Sequence, residues 1–136
     1  MPSSEGRKKR ILVVDDEAHI VTYLETLLQD NGYETTSAAD GEEAMKKLLE
    51  EKPDLVTLDI SMPEKSGVKF YREIKENPDL SDIPVLIVTG VTGYGGKPED
   101  VKRFISTRDR IPPPEGFIAK PIEQEEFLRA VSDLVG

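Results

Sequence analysis

Five side chains in this sequence have the types and the spacing to do chemistry together: Asp15, Asp16, Asp59, Thr89 and Lys120. Each follows or closes a short apolar run, Ile11-Leu12-Val13-Val14 before the first pair, Leu55 to Leu58 before Asp59, Val85 to Val88 before Thr89 and Phe117 to Ala119 before Lys120. If those runs are neighbouring parallel strands, three carboxylates, a hydroxyl and an ammonium meet at one edge of a sheet, where open parallel sheets bind ligands. Two carboxylates ~4 Å apart repel by about 4 kcal/mol at an effective dielectric near 20, so such a gathering calls for a cation or a raised pKa. A hard ion, Mg²⁺ or else Mn²⁺, suits an all-oxygen site with few protein ligands. Thr89 and Lys120 are poor ligands for a cation but good donors to phosphoryl oxygens. A carboxylate can accept a phosphoryl group as an acyl phosphate, and Asp59 is the central one. Taken singly, an Asp at a strand end caps a helix, a Thr packs and a Lys is solvated. The coincidence of all five at strand ends is what favours chemistry.

The elements that must position them follow from hydrophobic period. Strands are expected at Arg10–Val14, Tyr33–Ser37, Leu55–Leu58, Val85–Thr89 and Gly116–Ala119, and helices at Ala18–Asp30, Glu42–Glu51, Val68–Glu76, Glu99–Thr107 and Glu123–Val135. Apolar strands alternating with helices describe an α/β three-layer sandwich, a five-stranded parallel sheet covered on both sides. Ile20, Leu24, Leu27 and Leu28 fall on one helix face, as do Phe127, Leu128, Val131 and Leu134, which makes both stripes core. Asp40 with Glu43 opens one helix, Asn31-Gly32 ends another, and Pro98 with Glu99 and Asp100 opens a third.

Composition narrows the function classes. The 136 residues suit one domain, here residues 9–136 behind a flexible N-terminal lead-in, residues 1–8. With no cysteine, disulfides, thiolate metal sites and cysteine nucleophiles are excluded. Apolar runs are far shorter than the ~20 residues of a membrane span, and no secretion signal is read at the N-terminus, so a soluble cytoplasmic protein is expected. The net charge of -9 disfavours direct nucleic-acid binding. Arg7 to Arg10 reads as a solvated lead-in to the first strand, and the single histidine, His19, as a residue of the helix surface.

From about Lys9 to Val135 the chain resembles the receiver domain of two-component response regulators. The marks are Val13-Val14-Asp15-Asp16-Glu17, Asp59-Ile60-Ser61-Met62-Pro63 with Gly67 beyond, Val88-Thr89-Gly90 and Lys120-Pro121. The resemblance implies a flavodoxin-like sheet of order 2-1-3-4-5. It implies phosphorylation on Asp59, with Mg²⁺ held by Asp16, Asp59 and the Ser61 carbonyl, Asp15 assisting through water, and Thr89 and Lys120 binding the phosphoryl oxygens. The donor would be a histidine kinase or histidine phosphotransferase, with small acyl phosphates able to substitute. Phe117 stands where the family places its switch aromatic, and Thr89 would move with it, remodelling the face of the fourth helix, fifth strand and fifth helix. The output would be an unknown downstream protein or a missing output domain, with phosphorylation-dependent homodimerisation an open option. The resemblance implies the role of a signalling phosphoacceptor, not of an enzyme on a separate substrate.

Two departures stand out. Thr89 to Lys120 is longer than the family usually shows, with Gly93, Gly95 and Gly96 near one end and Pro112-Pro113-Pro114 near the other. Val91 has no side-chain group to orient an attacking water, so a fairly persistent acyl phosphate is expected, to be read from its decay rate. Rival readings fit less well. An aspartate-nucleophile phosphatase generally carries a second acid two residues after the nucleophile, where this chain has Ser61, and Asp15-Asp16-Glu17 would repel a phosphate from a flavin-type loop. A module with a vestigial site would have little reason to keep all five residues.

Overall fold

The computed structural model describes residues 8–59, 66–89, 115–119 and 122–135. Along them run β1 (Arg10–Val14), α1 (Ala18–Asp30), β2 (Glu34–Ala38), α2 (Gly41–Glu50), β3 (Leu55–Leu58), α3 (Ser66–Glu76), β4 (Val85–Thr89), β5 (Gly116–Ala119) and α4 (Gln124–Val135). The helix expected over Glu99–Thr107 lies outside the described residues. The sheet has five strands in the order β2-β1-β3-β4-β5, all parallel, as expected.

Period-2 alternation splits the core into two layers. On one face Leu12, Val14, Val56, Leu58, Val85 and Ile87 meet Ala44 and Leu48 of α2 and Phe70, Tyr71 and Ile74 of α3. On the other face Ile11, Val13, Leu55, Leu86, Val88 and Ile118 meet Leu24 and Leu28 of α1 and Phe127 and Val131 of α4. The two helix stripes expected to be core are core, with Ile20, Leu27, Leu128 and Leu134 partly buried beside them. β1 and β3 are buried on both faces, as their unbroken apolar runs require. β2 departs from that rule. Its residues Glu34 to Ser37 are polar and only partly covered, which a strand at the sheet's edge permits.

Local chemistry sets the boundaries. Gly32, at φ 92°, closes α1 in a Schellman turn: its amide donates to the Gln29 carbonyl at 3.2 Å and the Tyr33 amide to the Leu28 carbonyl at 3.1 Å. Tyr33 is thereby spent on the helix end, so β2 starts one residue later than its sequence pattern suggests. At α2 the Asp40 carboxylate accepts from the Glu43 amide at 2.8 Å, and the Glu43 carboxylate accepts from the Ala39 amide at 2.8 Å. With Asp40 as cap, Gly41 is already helical. Asp40→Ala is therefore expected to cost about 1 kcal/mol, read as a lower urea midpoint at unchanged slope. Glu123 caps α4 in the same manner, accepting from the Glu126 amide at 2.9 Å, so that helix begins one residue after the expected start.

Candidate functional site

β1 and β3 are neighbours with Val14 opposite Leu58, so the residue after each strand emerges at the same level of the sheet's carboxyl edge. Those residues are Asp15 and Asp59. The ladder continues one step beyond the strands: the Asp59 amide donates to the Val14 carbonyl at 2.9 Å and the Asp15 amide to the Ala38 carbonyl at 3.1 Å. Both carboxylates are held on paired backbone and both are buried, Asp15 at 2% and Asp59 at 3% exposure. The Asp15 Oδ1 accepts from the Glu17 amide at 2.9 Å, which bends the chain from β1 toward α1.

Glu17 occupies the cap position of α1 in extended backbone, and its side chain makes no capping bond to that helix. It turns up as the third member of the site. One carboxylate oxygen from each of Asp15, Glu17 and Asp59 lies within 4.8 Å of the others. The sequence reading placed Glu17 in the motif after β1 but did not count it among the site residues. Its signal was present in the spacing, since a turn closed on Asp15 brings the residue two positions later back over the strand end. Asp16 is exposed and stands outside this threesome. His19 is exposed on the helix surface, its Nε2 at 3.9 Å from Glu17 Oε2.

The remaining expected residues divide by position. Thr89 closes β4, the strand adjacent to β3, with Ala119 of β5 opposite it. Ser61 and Lys120 lie outside the described residues. Lys120 is next in the chain after Ala119, at the end of β5. Phe117 is partly buried and packs on the α2–α3 face of the sheet, while its neighbour Ile118 is buried on the α1–α4 face.

The donor set fits a hard divalent cation. Two buried carboxylates and an exposed third beside them supply only oxygen, the buried pair is poorly screened by water, and among the described residues no nitrogen or sulfur ligand joins them. Among the described residues no helix is long and apolar enough to cross a membrane.

Comparison with known proteins shows the family and the fold. The family described as response regulator receiver domain matches residues 11–132. The polar-differentiation response regulator DivK of Brucella anthropi is 30% identical over 128 residues, covering 94% of this chain and 97% of DivK. The alkaline phosphatase synthesis transcriptional regulatory protein PhoP of Bacillus subtilis is 43% identical over 81 residues, which is 60% of this chain but 33% of PhoP. The chain thus spans about a third of the length of transcriptional regulators it matches. In structure it is similar to the chemotaxis protein CheY4 of Vibrio cholerae, with a TM-score of 0.79 at 28% identity, covering 94% of this chain and 99% of that one. The parallel sheet of order 2-1-3-4-5 is the flavodoxin-like fold that receiver domains share, and here three acids gather at its carboxyl edge. The chain belongs to the response regulator receiver family of two-component systems.

Proposed function

We propose that the chain accepts a phosphoryl group on Asp59 from a histidine kinase or histidine phosphotransferase and passes the change to a partner protein. The observation that carries this reading is the pair of buried carboxylates, Asp15 and Asp59, side by side on adjacent strand ends. Asp59 is the acceptor because it follows the central strand, with β1 on one side and β4 on the other. One of its oxygens attacks phosphorus; the new P–O bond forms as the donor's P–N bond breaks, and the departing imidazole takes up a proton. With acetyl phosphate the bond that breaks is P–O and acetate leaves.

Mg²⁺ or Mn²⁺, when bound, neutralises charge on the transferring group. Asp15, Asp16, Asp59 and the Ser61 carbonyl would hold it by family resemblance, with Glu17 close by in the structure. Thr89 and Lys120 would donate to the phosphoryl oxygens from the ends of β4 and β5. The product adds about two negative charges beside Thr89, enough to bias a two-state element. Phe117 would report that change; its position on β5, two residues before the strand's end, and its partial burial support this. The face beside it, lined by Glu123, Glu126, Arg129 and Asp133, would then meet a downstream protein, an output domain or a second copy. A cytoplasmic signalling protein that binds no nucleic acid by itself fits the charge of -9.

Intact mass after incubation with acetyl phosphate and Mg²⁺ tests the reading. One phosphoryl adduct is expected, absent in Asp59→Asn and absent when the metal is chelated. A folded, Mg²⁺-loaded chain that takes no adduct from acetyl phosphate or from a phosphorylated histidine donor would sink it.

A further inference from the structure

β5 is only four residues long, and three features determine where along β4 it lies. The first is in the sequence. Pro112, Pro113 and Pro114 have no amide hydrogen, so Glu115 is the first residue after the prolines able to donate to a ladder. Its amide does so, to the Val85 carbonyl at 3.1 Å.

The second feature is the Glu115 side chain. Its Oε1 accepts from the Val85 amide at 2.8 Å, so one residue grips both backbone groups of the first residue of β4. The same carboxylate receives the Lys75 ammonium at 3.0 and 3.2 Å. Lys75 comes from the last turn of α3, and its side chain is 2% exposed. Its Nζ also stands 3.5 Å from the carbonyls of Ser81 and Ile83 and 5.7 Å from the centre of the Tyr71 ring. A buried ammonium between a carboxylate, two carbonyls and an aromatic face has little freedom to shift. It ties α3, the α3–β4 loop and the starts of β4 and β5 to one point.

The third feature is Gly116. A Cβ there would meet Leu86 Cδ1 at 2.9 Å and Leu134 Cδ1 at 3.5 Å. A one-residue slip of β5 would press Glu115 or Phe117 into that space and would move Phe117 to the opposite face of the sheet.

We propose that the Lys75–Glu115 pair and Gly116 form a register lock at the amino end of β5, and that Lys75 and Glu115 are positioning residues for the phosphoryl site at its other end. This rests on the reading of Asp59 as phosphoacceptor. The lock sets where β5 ends, with Ala119 opposite Thr89, and so fixes the point from which the chain continues to Lys120. Misplacement of a catalytic group by an ångström costs on the order of a hundredfold in rate, so loosening a strand anchor costs less, about tenfold.

The test uses the full chain with Glu115→Gln, which keeps an acceptor for the Val85 amide but removes the charge, and Lys75→Arg, which keeps the charge. The rate of phosphorylation by acetyl phosphate is measured at saturating Mg²⁺, alongside Mg²⁺ affinity by calorimetry and amide hydrogen exchange. Glu115→Gln is expected to slow phosphorylation about tenfold with unchanged Mg²⁺ affinity, since Asp15 and Asp59 sit on other strands. Exchange should quicken in β5 and the facing part of β4 and stay slow in β1 and β3. Lys75→Arg should stay near the parent rate. An unchanged rate in folded Glu115→Gln would overturn the proposal, as would rate and Mg²⁺ affinity falling together, which marks general loosening. If the parent chain takes no phosphoryl group, the reading of the site fails, and the exchange pattern alone decides the lock: uniform or unchanged protection across the sheet rejects it.

Discussion

In metal-free buffer Asp15→Asn should unfold at a higher urea concentration than the parent chain, and saturating Mg²⁺ should reverse that order. Asp15 and Asp59 are buried with carboxylate oxygens within 4.8 Å of each other, and Glu17 adds a third. At an effective dielectric near 20 and a separation of ~4 Å, one such repulsion amounts to about 4 kcal/mol, a ceiling that neighbouring dipoles and charges reduce. Asparagine keeps the Oδ1 that accepts from the Glu17 amide, so the turn after β1 survives the substitution. The expected gain is about 1 to 2 kcal/mol in the absence of metal, since nearby dipoles and charges offset part of the repulsion. With Mg²⁺ at a hundred times its dissociation constant, binding adds about 2.7 kcal/mol to the parent and little to the variant. Paired urea titrations with and without Mg²⁺ check this. Loss of stability in metal-free buffer would mean that the carboxylates attract more from their surroundings than they repel each other.

Glu115→Ala is expected to cost about 3 to 5 kcal/mol, and Lys75→Met much less. The asymmetry follows from burial. The Lys75 side chain is 2% exposed while that of Glu115 is 37% exposed, so removing the carboxylate strands a buried ammonium against carbonyls at 3.5 Å. It also leaves the Val85 amide without the Glu115 Oε1 at 2.8 Å. Removing the ammonium instead leaves a carboxylate that water can reach, and methionine fills the apolar part of the space. Urea unfolding of both variants would show it, and equal losses would contradict the ordering. Burial, followed by the nearby Glu115 charge, already pushes the Tyr71 hydroxyl pKa up, which places Tyr71 in the same dry pocket.

Much of the fold was legible because the strongest signals were local. β1, β3, β4 and β5 have the bounds that their apolar runs led us to expect, and the residues that close or follow those runs are the ones expected to do chemistry. β2 was legible only to within one residue, since the Schellman turn that takes Tyr33 depends on backbone conformation at Gly32 and not on hydrophobic pattern. In the site, Asp15 and Asp59 could be paired from the alternation of strands and helices together with a strand order. Glu17 was harder to see, because an exposed acid at a helix start reads as a cap; only the turn closed on Asp15 shows that it faces back toward Asp59. The Lys75–Glu115 pair was not legible at all. The two residues are 40 positions apart and no periodic pattern links them; the packing of α3 over β4, with β5 alongside, is what joins them.

The polar edge strand bears on how the molecule behaves in a crowded solution. β2 presents Glu34, Thr35, Thr36 and Ser37 along the rim of the sheet, and Glu34 is held by the Arg10 guanidinium at 2.8 Å. Unpaired edges invite strands of other molecules to join them, and a carboxylate at the start of a short hydroxyl-rich strand makes that pairing costly. The same strand that contributes least to the apolar core is therefore the one whose polar side chains disfavour edge-to-edge pairing between separate copies.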